Sequence, residues 1–155
     1  MKSLQQLFVE FYIGAVEENE IVAWACETIS SNSQWANDKL IIEIAGLRPE
    51  ISNDRKEVEQ LFNKFFALQF PSFQTKTVEN ENLAKRALKQ RCVDLLAGRV
   101  NAGKICRMVS PIETAFDYPK WLGNLYNVCD GTSDLETQKS APYLTKEAKI
   151  ICDKL

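Results

Sequence analysis

Two acid pairs at i, i+4 spacing, Glu113 with Asp117 and Asp130 with Asp134, are the residues whose spacing best suits acid–base chemistry. On a helix each pair would share one face. Both pairs have a plainer reading. Ser110-Pro111-Ile112-Glu113 reads as a helix N-cap, a first-turn proline and a capping-box acid. Asp130 and Asp134 flank Gly131, and acids are common at such turns. The five cysteines, Cys26, Cys92, Cys106, Cys129 and Cys152, are odd in number and contain no CxxC pair. That argues against a disulfide framework and for small buried hydrophobes. There is no histidine. His general bases, Ser–His and Cys–His nucleophile pairs and His-containing zinc sites are therefore excluded. The stretch AGRVNAGK, Ala97 to Lys104, holds two glycines and a lysine without phosphate-loop spacing, and Ile105 follows where a hydroxyl is needed. The residues thus predict a non-enzyme with no catalytic residue, no cofactor site and no metal site.

The elements carrying these residues read as helices. Ser3 can cap a first helix in which Leu4, Leu7, Phe8, Phe11, Tyr12 and Ala15 recur at helical spacing. EENE makes a polar break. Ile21, Val22, Ala25 and Ile29 then line one side of a second helix, with Trp24 beside them. A third segment carries Leu40, Ile41 and Ile44 and stops at Gly46, with Pro49 beyond. Its core, LIIEI, also suits a short buried strand. Asp54 and Glu57 read as the capping box of a fourth helix with Val58, Leu61, Phe62, Phe65 and Phe66 as its stripe, ended by Pro71.

A fifth helix begins near Asn80 and runs through Leu83, Ala84, Ala87, Leu88, Cys92, Leu95 and Leu96 to Gly98. Asn101 opens a short helix with Ile105, Cys106 and Val109. The aromatic-rich stretch from Ser110 to Asp130 resolves into a helix capped by Ser110. After Pro119 comes a second one, whose stripe is Trp121, Leu122, Leu125, Tyr126 and Cys129, interrupted only by Gly123 and ended by Gly131. TSDLETQKSAP is a polar loop, and Thr145 caps a last helix holding Ala148, Ile151 and Cys152. The expected fold is all-α: one domain spanning 1–155, a bundle or stacked helical hairpins of seven to nine helices.

Composition agrees. A 155-residue chain with 45% hydrophobic residues, eight Phe, four Tyr and three Trp can bury one sizeable core. Gln5, Gln6 and Glu10 interrupt the apolar run after Lys2, and no small-residue cleavage site follows. No apolar stretch approaches the ~18 residues of a membrane span. The expected location is cytoplasmic, with no membrane contact.

Net charge is only -2, yet it is unevenly distributed. From Glu10 to Glu59, eleven acids oppose Lys39, Arg48, Arg55 and Lys56. From Lys85 to Arg107, seven bases (Lys85, Arg86, Lys89, Arg91, Arg99, Lys104, Arg107) oppose Asp94 alone. Two readings stay open: solvated faces that attract one another within the fold, or an acidic face that binds a basic protein. The basic run lacks interleaved aromatics, which argues against nucleic acid as a partner.

FYIGAVEENEIVAWACETI (Phe11 to Ile29) and CRMVSPIETAFDYPKWLGNLYNVCD (Cys106 to Asp130) together resemble small helical immunity proteins of bacterial contact-dependent growth inhibition and related polymorphic toxin systems. The shared pattern is a hairpin with a tryptophan in its second helix, then a proline–tryptophan–leucine–glycine run ending in Cys-Asp. The resemblance implies a cytoplasmic inhibitor that neutralises a cognate toxin domain, typically a nuclease with a basic surface, by protein–protein contact. The partner-binding residues expected on this reading are Glu17, Glu18, Glu20, Glu27 and Asp38, with Tyr118 as an aromatic rim. The alternative is a helical adaptor that binds an endogenous protein.

Overall fold

The computed structural model describes residues 2–129 and 141–155. Among them are eight α-helices, a single 3-10 turn and no strand. The all-α expectation holds, and LIIEI is helical. The chain forms two compact units, one from Met1–Ala15 with Thr75–Leu155 and the other from Val16–Gln74.

The Val16–Gln74 unit is a three-helix assembly. Helix α2 (Glu18–Ser30), α3 (Lys39–Ala45) and α4 (Ser52–Gln69) each pack on the other two. Asp38 caps α3, its Oδ1 accepting from the Leu40 and Ile41 amides at 2.9 and 3.3 Å. Helix α4 presents Val58, Phe62, Phe65 and Phe66 as a buried stripe. Phe65 takes Trp24 and Trp35 against its ring at centroid distances of 6.0 and 5.7 Å, and Trp24 also meets Phe62 at 5.7 Å. Tilted and edge-on pairs of this kind add about 1 kcal/mol each beyond area burial.

Two expectations here are corrected. Helix α4 starts at Ser52 rather than behind an Asp54 cap. Ile51 closes a turn on the Arg48 carbonyl (2.9 Å), and Asp54 instead accepts the Arg48 amide at 2.9 Å. Ile29 stands at 36% exposure, because Ile21, Ala25 and Thr28 form the buried face of α2.

The other unit is built around α5 (Val78–Leu96), against which α1 (Leu4–Tyr12), α6 (Ala102–Phe116) and α8 (Ala141–Lys154) pack; α7 (Leu125–Cys129) joins α6 and α8. Thr77 caps α5 through the Asn80 amide, and Asn80, Ala84, Leu88 and Cys92 fall on one buried face. Ser3 caps α1 as expected, accepting from the Gln6 amide at 3.1 Å. The buried face of α1 is Leu4, Leu7, Val9 and Glu10, however, and Tyr12 faces water.

The largest difference from expectation is α6. It opens at the Asn101 cap as foreseen, then runs unbroken through Ser110 and Pro111 to Phe116. Proline costs an interior helix one hydrogen bond and crowds the carbonyl four residues back. Here Ile105, Met108 and Val109 before it, and Ile112, Ala115 and Phe116 after it, share one buried stripe. Ending the helix at Ser110 would turn half of that stripe away from the core. Glu113 is therefore an interior residue at 7% exposure, not a capping acid.

Helix α6 ends at Asp117 and Tyr118, both in left-handed backbone (φ 54° and 53°). Gly123 (φ 58°) then breaks the expected Trp121–Cys129 helix into a 3-10 turn, Lys120–Leu122, and α7. Helix α8 begins at Ala141, four residues before the expected Thr145 cap. The expected Gly131 stop and most of the polar loop lie outside the described residues. So does the Asp130–Asp134 pair.

The cysteines correct a further expectation. Cys106 and Cys129 are joined in a disulfide that ties α6 to α7. Cys92 is buried, Cys152 half-buried and Cys26 exposed. Cysteines far apart in sequence meet only once α6 and α7 pack, so spacing alone did not reveal the bond.

Candidate protein-binding surface

Five of the six expected partner-binding residues fall in the Val16–Gln74 unit; Tyr118 falls in the other. The five acids divide by what else they do. Glu17 is the N-cap of α2 and forms a capping box with Glu20, whose Oε2 accepts the Glu17 amide at 2.8 Å. Asp38 is the α3 cap described above. These three carboxylates hold helix ends, which limits what their substitution can say about a partner. Glu18 lies in the first turn of α2, where its charge suits the positive end of the helix. Glu27 is exposed two turns further on.

Glu27 follows Glu20 by seven positions, two helical turns, so they share one outer face of α2. Glu43 on α3 and Glu50, Glu57 and Glu59 around α4 are also exposed. The unit carries ten acids against five bases, whereas the other carries eleven against fourteen. The three ion pairs formed between described residues, Lys2–Glu10, Lys76–Asp117 and Arg99–Asp94, all belong to the basic unit. Six acids of the acidic unit, Glu20, Glu27, Glu43, Glu50, Glu57 and Glu59, are exposed to solvent.

The basic run from Lys85 to Arg107 is largely engaged in structure. Arg91 Nη2 donates to the Ala15 carbonyl at 2.6 Å. Lys85 sits 5.7 Å over the Trp121 ring, whose Nε1 donates to Glu81 at 2.7 Å. Arg99 pairs with Asp94 at 2.7 Å; its hydrogen bonds, with that of Gln90, hold the Asp94 carboxyl below its ordinary range. Partial burial and then neighbouring Arg107 depress the Lys104 ammonium.

Tyr118 is 73% exposed. Its amide donates to the Glu113 carbonyl at 3.0 Å, the closing bond of a helix C-cap that usually uses glycine. Glu113 and Asp117 do not form an acid–base couple: Glu113 is buried, while Asp117 is exposed and pairs with Lys76. Among the described residues no group of three or more His, Cys, Asp or Glu side chains could hold a metal, and no helix is long and apolar enough to cross a membrane.

The sequence reading missed the structural duty of Glu17 and Glu20. The signal was present as Glu-x-x-Glu before an apolar run, but glutamate is an uncommon N-cap. The chain matches no family model, no curated protein and no solved structure.

Proposed function

We propose that this chain is a binding protein: an immunity protein that neutralises a toxin domain by presenting an acidic helical surface to a basic one. The observation that carries the reading is the acid excess of the Val16–Gln74 unit, ten acids against five bases, with Glu20, Glu27, Glu43, Glu50, Glu57 and Glu59 exposed. Exposed like charge costs self-repulsion, and it is useful where a partner of opposite sign must be captured quickly and selectively. Inhibition by contact needs no catalytic group, and the chain has no histidine. The place of action on this reading is the cytoplasm, and the toxin is a nuclease whose substrate-binding face is basic. An adaptor for an endogenous basic protein is the second reading, favoured by the same charge.

The test is a growth assay in which the C-terminal domain encoded immediately upstream is induced with and without this chain. Killing by the fragment, rescued by the chain, supports the proposal. Killing that the chain does not relieve overturns it and leaves the adaptor reading.

A further inference from the structure

We infer that the seam between α2 and α3 is the docking surface for a basic amphipathic helix of the partner, and this rests on reading the chain as a binder of a basic protein. Cys26 Sγ donates to the Ala45 carbonyl at 3.7 Å, which sets the two helices side by side. Ile29 lies one turn beyond Cys26, and Ile42 one turn before Ala45. Because the 31–38 turn reverses the chain, the two isoleucines fall at the same level of the hairpin. They are 36% and 50% exposed, and Cys26 beside them is exposed as well. The other large apolar side chains of α2, Ile21 and Trp24, turn instead toward the unit's interior.

Acids border this apolar strip on both sides. Glu20 and Glu27 lie along the outer face of α2, and exposed Glu43 lies on α3. An apolar centre inside a charged rim is the anatomy of a recognition patch. The composition selects the occupant. A purely basic partner would leave Ile29 and Ile42 in water, and a purely apolar one would strip solvent from three carboxylates without replacing it. A helix with Leu, Ile or Phe anchors one turn apart, flanked by Lys or Arg, satisfies both.

The test uses the full chain, isotopically labelled, titrated with a Leu/Lys peptide of about 18 residues patterned as an amphipathic helix. A scrambled isomer of identical composition is the control. The expected result is saturable binding of the patterned isomer, at least about tenfold tighter than the scrambled one, with amide shifts centred on Cys26, Ile29, Ile42 and Glu43. The Ile29→Ser/Ile42→Ser variant should lose about tenfold in affinity, and Glu27→Lys/Glu43→Lys should reverse the preference toward a Leu/Glu peptide. Both variants touch exposed positions, and circular dichroism confirms that they fold. Equal binding of the two isomers, absence of binding, or shifts centred elsewhere overturns the inference. Failure of growth rescue with peptide discrimination intact removes the toxin and keeps the surface. Rescue without discrimination does the reverse.

Discussion

Gly14 lies against the one turn of α6 to which Pro111 supplies no N–H. A Cβ on Gly14 would stand 3.1 Å from the Arg107 carbonyl oxygen and 3.5 Å from its carbon. Gly14 also has φ +75°, where an L side chain is strained. The proline thus sits in mid-helix opposite a residue that can bring its backbone up to the carbonyl four places back.

Gly14→Ala is therefore expected to destabilise the protein by about 2 kcal/mol, from left-handed strain plus a contact that backbone cannot relieve. Gly46 is the control. It has φ -87°, and an added Cβ meets nothing closer than 3.5 Å. Gly46→Ala should be neutral or stabilising by up to about 1 kcal/mol. Urea unfolding of both variants checks this; equal midpoints would show that the Gly14 contact carries no strain.

The pairing of Gly14 with Pro111 also shows what the sequence could not reveal. Helix existence was legible wherever a periodic stripe was long, as with Val58 to Phe66 and Ala84 to Cys92. Boundaries failed where a local signal met a tertiary one. Ser110-Pro111-Ile112-Glu113 has every mark of a helix start, yet the buried stripe on both sides of Pro111 carries the helix through it. Asp54 looks like a cap, but a turn at Arg48–Ile51 recruits it for another amide. The acidic character of the candidate surface was legible because charge is a property of the chain. Which acids are free for a partner was not, because capping depends on where helices begin. The exposed Ile29–Ile42 strip was not legible because Ile29 reads as part of an apolar stripe, and Ile42 joins it only once α2 and α3 pack side by side.

Tyr118 is displayed at a backbone cost. Non-glycine residues in left-handed conformation cost about 1–2 kcal/mol, and Asp117 and Tyr118 adopt it in succession. Tyr118→Gly is expected to stabilise the fold by up to about 1 kcal/mol while weakening partner binding. Thermal denaturation and a binding titration on the same variant check both signs. A loss of stability would mean that the ring packs rather than presents.

The Cys106–Cys129 bond ties α6 to α7 across a sequence separation of 23. Reducing compartments keep thiols free. Loop-closure arguments put the contribution of such a link at about 3 kcal/mol. Cys106→Ser/Cys129→Ser should therefore unfold at lower urea, yet remain helical and functional in the growth assay, because the fully buried Ile105, Met108, Ile112 and Leu125 supply apolar packing at the same place. A variant that is unfolded without urea would show that the protein needs an oxidising compartment, against the cytoplasmic proposal.

Cys92 links stability to alkaline pH. Burial, then the neighbouring Cys152, pushes its thiol up to about 12 from an ordinary 9.0. The unfolded chain releases this proton first, so the native state holds more protons between those values. Stability contributed by the neutral thiol is complete below pH 9 and is lost as pH rises toward 12, by up to about 4 kcal/mol. Cys92→Ala should flatten that decline in urea midpoints. In the native protein at pH 8, a thiol reagent should modify exposed Cys26 first and Cys92 only after denaturation.

Asp38 and Glu27 separate helix capping from recognition within one acidic unit. Asp38 accepts two α3 amides, so Asp38→Ala should cost about 1 kcal/mol, and Asp38→Asn, which keeps the acceptor, much less. Glu27 is an exposed residue on α2, and Glu27→Ala should leave stability within about 0.5 kcal/mol. Its effect should appear instead in association with the basic partner, as a slower on-rate and a shallower salt dependence, with dissociation little changed. Stopped-flow binding at several ionic strengths, beside urea melts of the same three variants, resolves the two roles. If Glu27→Ala leaves the on-rate at low salt untouched, the outer face of α2 does not steer the partner. The acid excess would then act through Glu43 and the α4 carboxylates.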